Sequence, residues 1–202
     1  MKLYYSPGAC SLSVHIVLHE AGLPFTPVLA STKTHKLPDG TDYYTINPKG
    51  YVPVLELDDG QRLSECQVLV QYLGDRVPEK KLAAPWGSME RYRQMEWLSF
   101  ISSELHKGFG MFFNPAMPED FKDPMRARLA GRLQWVNQQL EGRQYLMGDG
   151  FTVPDAYLFT VVNWNKYVNA DAAGLNHLDA YMARMAARPA VQAAMKAEGL
   201  IK

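Results

Sequence analysis

The chain has 202 residues, enough for one large folded domain or two small ones. Hydrophobic residues make up 47% and charged residues 21%, proportions typical of globular proteins and not of disordered or collagen-like chains. Lys plus Arg and Asp plus Glu each number 21, so the net charge gives no electrostatic reason to expect a nucleic-acid partner or an anionic lipid surface.

No segment has the pattern of a membrane anchor or a secretory signal. No apolar run approaches the ~20 residues of a membrane-spanning helix, and the segment 1–7 lacks the charged and apolar regions of a signal peptide. Two cysteines, Cys10 and Cys66, allow at most one bridge, which is not a disulfide framework. We therefore predict no membrane partner and a cytoplasmic location.

The first part of the chain alternates strand and helix patterns. Short runs of strand composition occur at residues 2–5, 25–29, 52–57 and 61–63. Between the first two, residues 11–21 have helical spacing and end at Gly22, a residue type favoured just after a helix. After the last run, Ser64 to Gln67 has the S-x-x-Q form of a capping box, which predicts a helix from Glu65 that ends before Pro78.

The segment 78–87 contains prolines, a glycine and lysines, and indicates a linker. Beyond it all patterns are helical. They comprise a long segment around Trp97 to Leu105, then residues 124–140, 156–168 and 177–195, the last interrupted at Pro189. Thr152 and Asp155 form a T-x-x-D cap before Ala156, so we assign both a structural role. The sequence predicts an α/β domain at 1–80 and an all-α domain at 88–202.

Cys10 lies between the first predicted strand and the N-terminus of the first helix. Unpaired backbone N–H groups and the helix dipole stabilise a thiolate at such a position. Cys10-Ser11-Leu12-Ser13 is C-x-x-S, so it lacks the second thiol by which a C-x-x-C oxidoreductase resolves a mixed disulfide. The alternative is that Cys10 only packs beneath the helix.

Two further segments have features of a peptide-binding site. Pro53 begins a strand, and a cis Val52–Pro53 bond would turn the N–H and C=O of Val52 outward to pair with a peptide; a trans proline at a strand start is the alternative. Glu65 and Cys66 open a helix, where the N-terminus binds a carboxylate and Glu65 can hold an ammonium. The alternative for Glu65 is a first-turn glutamate that complements the dipole.

His106 lies in a polar stretch of an otherwise apolar helix. Its charge changes near neutral pH, so it can act as a base or as a donor to a thiolate; a structural histidine is the alternative. The five histidines have no closed set of metal ligands, because His15 and His19 at i, i+4 lack a third partner. We predict no metal.

In combination these motifs resemble those of bacterial beta-class glutathione S-transferases over essentially the whole chain. The matching segments are Lys2-Leu3-Tyr4-Tyr5, Pro7-Gly8-Ala9-Cys10-Ser11-Leu12, Asn47-Pro48-Lys49-Gly50-Tyr51-Val52-Pro53, Leu57-Asp58-Asp59-Gly60, Leu63-Ser64-Glu65, Gln71-Tyr72-Leu73, Glu104-Leu105-His106-Lys107, Thr152-Val153-Pro154-Asp155-Ala156-Tyr157-Leu158-Phe159 and Ala197-Glu198-Gly199-Leu200. The resemblance implies a thioredoxin-like N-terminal domain and an all-α C-terminal domain, the glutathione S-transferase fold.

The resemblance also implies a homodimer that conjugates glutathione, its co-substrate, to small electrophiles in detoxification. Cys10 would contact or reversibly bond the glutathione sulfur, with His106 close to it, and Val52 before a cis Pro53 would pair with the cysteinyl backbone. The γ-glutamyl end would be held by Glu65 and position 66, helped from the partner subunit by Ser103 and Glu104, with Ser99 as a further candidate. Phe109, Phe112 and Phe113 are the candidates for the electrophile pocket.

Two positions depart from the family pattern. Position 66, usually serine or glycine, is Cys66, and position 35, where a lysine near the glycyl carboxylate is expected, is His35. The charge at position 35 then depends on pH. With glutathione bound, we expect the Cys10 and Cys66 sulfurs to border opposite ends of the tripeptide, too far apart for a disulfide. Two other functions stay open: a glutaredoxin-like thiol oxidoreductase or peroxidase, and a non-catalytic carrier of apolar ligands.

Overall fold

The computed structural model describes residues 1–202, which form two compact units. One unit comprises Met1–Leu82 with Arg188–Lys202, and the other comprises Ala83–Ala187. The first unit contains the strands β1 (Lys2–Tyr5), β2 (Thr26–Leu29), β3 (Val54–Glu56) and β4 (Arg62–Ser64) with the helices α1 (Ser11–Ala21), α2 (Cys66–Asp75) and α9 (Pro189–Ala197). Short 3₁₀ turns occur at Tyr43–Thr45 and Pro78–Lys80. The four predicted strands and the first helix are confirmed.

The strands form one mixed sheet in the order β2-β1-β3-β4. β1 and β2 are parallel, as the helical crossover α1 requires, whereas β1–β3 and β3–β4 are antiparallel. The left-handed Gly22 (φ 66°) ends α1 as predicted. Helix α1 is buried along almost its whole length, and its buried residues include the polar Ser11, Ser13 and His15, so it lies at the centre of this unit's core.

The start of α2 differs from the prediction. Ser64 belongs to β4, and the N-cap of α2 is Glu65, whose side chain makes no capping hydrogen bond. The hydroxyl of Ser64 instead accepts a hydrogen bond from Lys49 Nζ at 3.0 Å. The predicted S-x-x-Q capping box therefore does not form, because the strand pairing of β4 extends one residue further than the apolar pattern indicates.

The second unit is all helical, as predicted. It contains α3 (Met89–Phe100), a π-helical segment (Ile101–His106), α4 (Lys107–Gly110), a 3₁₀ turn (Met111–Phe113), α5 (Glu119–Gln139), α6 (Val153–Val162), α7 (Asn165–Val168) and α8 (Asn176–Ala186). Helix α5 begins before Pro124 and includes it, and α6 begins at Val153 rather than Ala156. Every residue of α6 is buried, so it is the core helix of this unit.

The C-terminal segment does not follow the predicted domain boundary. The sequence pattern assigned residues 88–202 to one helical domain, but Arg188–Lys202 belong to the first unit. The cause lies in α1: the buried carboxylate of Glu198 contacts His15 of that helix at 2.9 Å, and Arg188 pairs with Glu20 at 2.7 Å. None of the helices has both the length and the hydrophobicity required to cross a bilayer.

Candidate active site

Cys10 is the N-cap residue of α1 and is half-buried. Its Sγ lies 3.3 Å from the carbonyl oxygen of Val52, to which the thiol donates. The Val52–Pro53 peptide bond is cis. Upstream, the carbonyl of Tyr51 accepts hydrogen bonds from the Tyr43 hydroxyl at 2.9 Å and from Asn47 Nδ2 at 2.7 Å, so this loop is fixed beside the cysteine.

The loop before Cys10 is held from the far end of the chain. The backbone N–H of Gly8 donates to Glu198 Oε2 at 2.9 Å, while Glu198 Oε1 contacts His15 Nδ1 at 2.9 Å. His15 in turn stacks on His19, with 5.2 Å between ring centroids. His15 is buried and His19 is half-buried against it, and the structure contains no group of three or more His, Cys, Asp or Glu side chains that could hold a metal.

Glu65 has a left-handed backbone conformation (φ 73°, ψ 114°) that non-glycine residues rarely adopt. Such conformations cluster at ligand sites because they orient a group against its local preference. The side chain of Glu65 is exposed and pairs with Lys49 Nζ, which also donates to Ser64. Lys49 lies in the matching segment Asn47 to Pro53, but the sequence alone does not indicate its contact with Glu65.

Cys66, the first residue of α2, is buried against Cys10. Its Sγ lies 3.5 Å from the carbonyl oxygen of Cys10, and only 5% of the residue is exposed. Burial raises the pKa of the Cys66 thiol, and a hydrogen bond with the Cys10 side chain and the charge of that group raise it further. Cys10 and Cys66 are therefore neighbours in this structure.

His35 also has a left-handed backbone (φ 52°), and its ring lies 4.7 Å from that of Tyr44 between centroids. Its backbone carbonyl accepts from the N–H of Tyr43 at 2.8 Å, and its buried Nδ1 has no hydrogen-bond partner. Gly50 packs against the ring of Tyr44 so closely that a Cβ at position 50 would lie 2.7 Å from that ring. His35 and Gly50 therefore both pack against the ring of Tyr44.

In the helical unit, His106 ends the π-helical segment, a type of irregularity that is frequent at functional sites. Its Nδ1 lies 2.6 Å from the hydroxyl of Tyr157 on α6, which fixes the ring. The ring also meets Trp164 edge to face at 5.0 Å between centroids, and Trp164 meets Phe113 at 5.6 Å. The sequence alone indicates no role for Tyr157, although it lies in a matching segment, or for Trp164, because both are remote from His106 in sequence.

The other predicted residues of this segment have partners in their own unit. Glu104 pairs with Arg128 at 3.0 Å and Arg132 at 2.8 Å, and these hydrogen bonds lower its pKa. The Ser103 hydroxyl donates to the carbonyl of Ser99 at 2.9 Å.

The three aromatic candidates for an electrophile pocket differ in exposure. Phe109 is fully buried and so belongs to the core rather than to any pocket wall. Phe112 is half-buried, with the guanidinium of Arg126 5.5 Å from its ring centroid, and Phe113 is exposed. Only Phe112 and Phe113 can therefore meet a ligand.

Thr152 and Asp155 form the capping box of α6. The Asp155 carboxylate accepts from the backbone N–H of Thr152 at 2.8 Å, from that of Leu146 at 2.9 Å and from the hydroxyls of Thr152 and Tyr181. Burial raises the pKa of Asp155 to about 6 despite these four donors, which act in the opposite direction. The cap therefore also joins α6 to the preceding loop and to α8.

Comparison with known proteins identifies the chain. Residues 8–76 match the family described as the N-terminal domain of glutathione S-transferase, and residues 100–189 match its C-terminal domain. The chain is 50% identical over 200 residues to glutathione S-transferase GstA of Escherichia coli O157:H7, an alignment that covers 99% of this chain and 100% of the relative. The chain belongs to the glutathione S-transferase family.

Solved structures assign this transferase to the bacterial beta class. The beta-class enzyme of Sphingomonas chungbukensis is 40% identical with a TM-score of 0.95, and a sphingomonad glutathione S-transferase complexed with glutathione is 42% identical with a TM-score of 0.94. Both comparisons cover 100% of each chain. The predicted fold and enzyme class are thereby confirmed.

Proposed function

We propose that this transferase conjugates glutathione to small electrophiles and that Cys10 and His106 act on the glutathione sulfur. The observation that supports this most directly is the position of Cys10 at the N-terminus of α1, beside the carbonyl of Val52 that precedes the cis Pro53. Backbone N–H groups at a helix start stabilise a thiolate, and the Val52 backbone would lie beside the cysteinyl residue of a peptide bound at Cys10.

We assign the tripeptide by the chemistry of each end. The backbone of Val52 pairs with the cysteinyl residue, and His35 binds the glycyl carboxylate. Glu65 binds the γ-glutamyl ammonium while the N-terminus of α2 at Cys66 binds its carboxylate. The sphingomonad relative, which is complexed with glutathione, supports this choice of ligand.

We further propose a cytoplasmic homodimer in which the partner contributes Ser99, Ser103 and Glu104 to the γ-glutamyl end. Cys10 and Cys66 form no disulfide in this structure, which is in keeping with a reducing compartment. Glu104 already pairs with Arg128 and Arg132, so in this assignment it acts as part of a charged cluster and not as an isolated carboxylate.

Retention on immobilised glutathione, followed by conjugation of a chloronitrobenzene, tests the proposal. Glu65→Gln should raise the KM for glutathione by about tenfold or more, because it removes a charge-assisted hydrogen bond. Cys10→Ala and His106→Ala should lower kcat/KM. Glu79→Gln, an exposed glutamate of the same unit, is the matched control and should behave as wild type. Equal KM values for the two glutamate variants would refute the assignment of Glu65.

A further inference from the structure

The two cysteines of this chain meet where α1 and α2 begin. Cys10 is the N-cap of α1 and Cys66 is the first residue of α2, and the Cys66 Sγ lies 3.5 Å from the Cys10 carbonyl oxygen. The hydroxyl of Ser13 donates to the same carbonyl at 2.7 Å. The Cys66 thiol is therefore an immediate neighbour of the residue that carries the solvent-accessible thiol.

Their environments suit two different tasks. Cys10 is half-buried, so a ligand can reach it, whereas Cys66 is 5% exposed. An external disulfide therefore meets Cys10 first. The C-x-x-S sequence of α1 has no second thiol of its own, but Cys66 supplies one from the neighbouring helix.

We propose that Cys66 is a resolving thiol for Cys10, so that this transferase also reduces glutathione mixed disulfides through a Cys10–Cys66 disulfide. The inference rests on the proposed role of Cys10 at the glutathione sulfur, and it goes beyond conjugation because it adds a two-electron oxidation of the protein itself.

The reaction has two exchange steps. The Cys10 thiolate attacks the glutathione sulfur of a mixed disulfide; the substrate S–S bond breaks, and the other thiol leaves with the electron pair and takes up the proton that Cys10 had released. Cys66 then loses its proton and attacks Cys10 Sγ, and glutathione leaves as a thiolate that takes up this proton. Two protein thiols are oxidised to one disulfide and the mixed disulfide is reduced to two thiols. Two further glutathione molecules restore the dithiol and form glutathione disulfide.

The contact between Cys10 and Cys66 also affects when Cys66 can ionise for the second step. Burial is the main cause of the raised pKa of Cys66, and while Cys10 is a thiolate its charge adds to that effect. Once Cys10 is bonded to glutathione that charge is gone, so Cys66 ionises more readily at the stage when it has to attack. Its fixed position beside Cys10 gives it an advantage over a thiol from solution.

The test is oxidation of the reduced full-length protein with glutathione disulfide, alkylation under denaturing conditions and intact-mass measurement. Wild type should lose two hydrogen atoms and keep no glutathionyl group, whereas Cys66→Ser and Cys66→Ala should retain one glutathionyl group on Cys10. Ser13→Ala removes one hydroxyl donor to the Cys10 carbonyl but neither thiol, so it is the matched control and should still form the disulfide. Thermal melting verifies that each variant is folded.

Conjugation of a chloronitrobenzene by the same samples separates this inference from the proposed function. A wild type that conjugates but keeps a glutathionyl group on Cys10, with Cys66 open to alkylation, would overturn the resolving role alone. A wild type that neither conjugates nor reacts at Cys10 would overturn both. Removal of the adduct in wild type and its persistence in both Cys66 variants would support the inference.

Discussion

The carboxylate of Glu198 accepts a 2.9 Å hydrogen bond from the backbone N–H of Gly8, two residues before Cys10. Its other oxygen contacts His15, and both side chains are buried. Glu198→Ala removes the acceptor of the His15 ring and of the Gly8 N–H, so the free energy of unfolding should fall by ~1–3 kcal/mol for each hydrogen bond that is lost. Glu198→Gln keeps an acceptor oxygen and should lose less. Urea unfolding measures both; equal stability of wild type and Glu198→Ala would contradict this account.

Asp155 should make stability depend on pH. Burial raises the pKa of Asp155 to about 6, whereas an unfolded aspartate titrates near ~4. The folded state binds this proton more tightly, so the contribution of Asp155 is fully present below ~pH 4 and is lost as pH rises through ~6. Asp155→Asn cannot titrate there. Between ~pH 4 and 6 the wild type should therefore lose stability relative to Asp155→Asn. Above ~pH 6 the difference in unfolding free energy between the two proteins should stay constant.

The matched control for that experiment is Asp179→Asn, an exposed aspartate in the first turn of α8. Its difference from wild type should not change over the same window. Asp155→Ala, which leaves up to four donors without an acceptor, should lose at least ~2 kcal/mol at any pH. A pH profile shared by both asparagine variants would rule out Asp155 as the source.

Tyr157 should influence conjugation through His106. The 2.6 Å contact between the Tyr157 hydroxyl and His106 Nδ1 fixes the imidazole, so Tyr157→Phe should lower kcat/KM by up to about tenfold, the value of one neutral hydrogen bond. His106→Ala should lower it further. Combining both changes should cost no more than His106→Ala alone, because the tyrosine acts through the histidine. Additive losses in the double variant would show that Tyr157 acts independently.

In the proposed assignment, Lys49 competes with the glutathione ammonium for the carboxylate of Glu65. Both side chains are about half exposed, so their ion pair is worth no more than ~1 kcal/mol and Lys49→Met should leave the melting temperature nearly unchanged. Because the variant frees the Glu65 carboxylate, the KM for glutathione should fall by about two- to fivefold. Steady-state kinetics with varied glutathione measures this. A higher KM would mean that Lys49 itself binds the ligand.

The local signals in the sequence were reliable where one residue decides the geometry. Gly22 ends α1 in the left-handed conformation that its residue type favours, and Pro189 begins a helix as its fixed φ allows. The predicted capping box at Ser64 was wrong because Ser64 pairs with β3, and this non-local strand pairing took precedence over the local capping pattern. Phe109 likewise looked suitable for a pocket, but burial depends on packing that spacing alone does not reveal.

For the candidate site, sequence identified the residue types but not their contacts. Cys10 and Glu65 follow from helix starts, which are local features. The neighbours Cys66 of Cys10 and Tyr157 of His106 come from separate elements, and no periodicity relates them. The wide π-helical turn that ends at His106 has no local signature either.

The assignment of Arg188–Lys202 to the first unit has a consequence during protein synthesis. A ribosome translates residues 1–82 first, but α1 then lacks Glu198 for His15 and Arg188 for Glu20. The whole of Ala83–Ala187 has to be translated before these partners emerge. The face of α1 that contains His15 therefore stays uncovered until Ala83–Ala187 has been translated. The first unit can be completed only after the second has been synthesised.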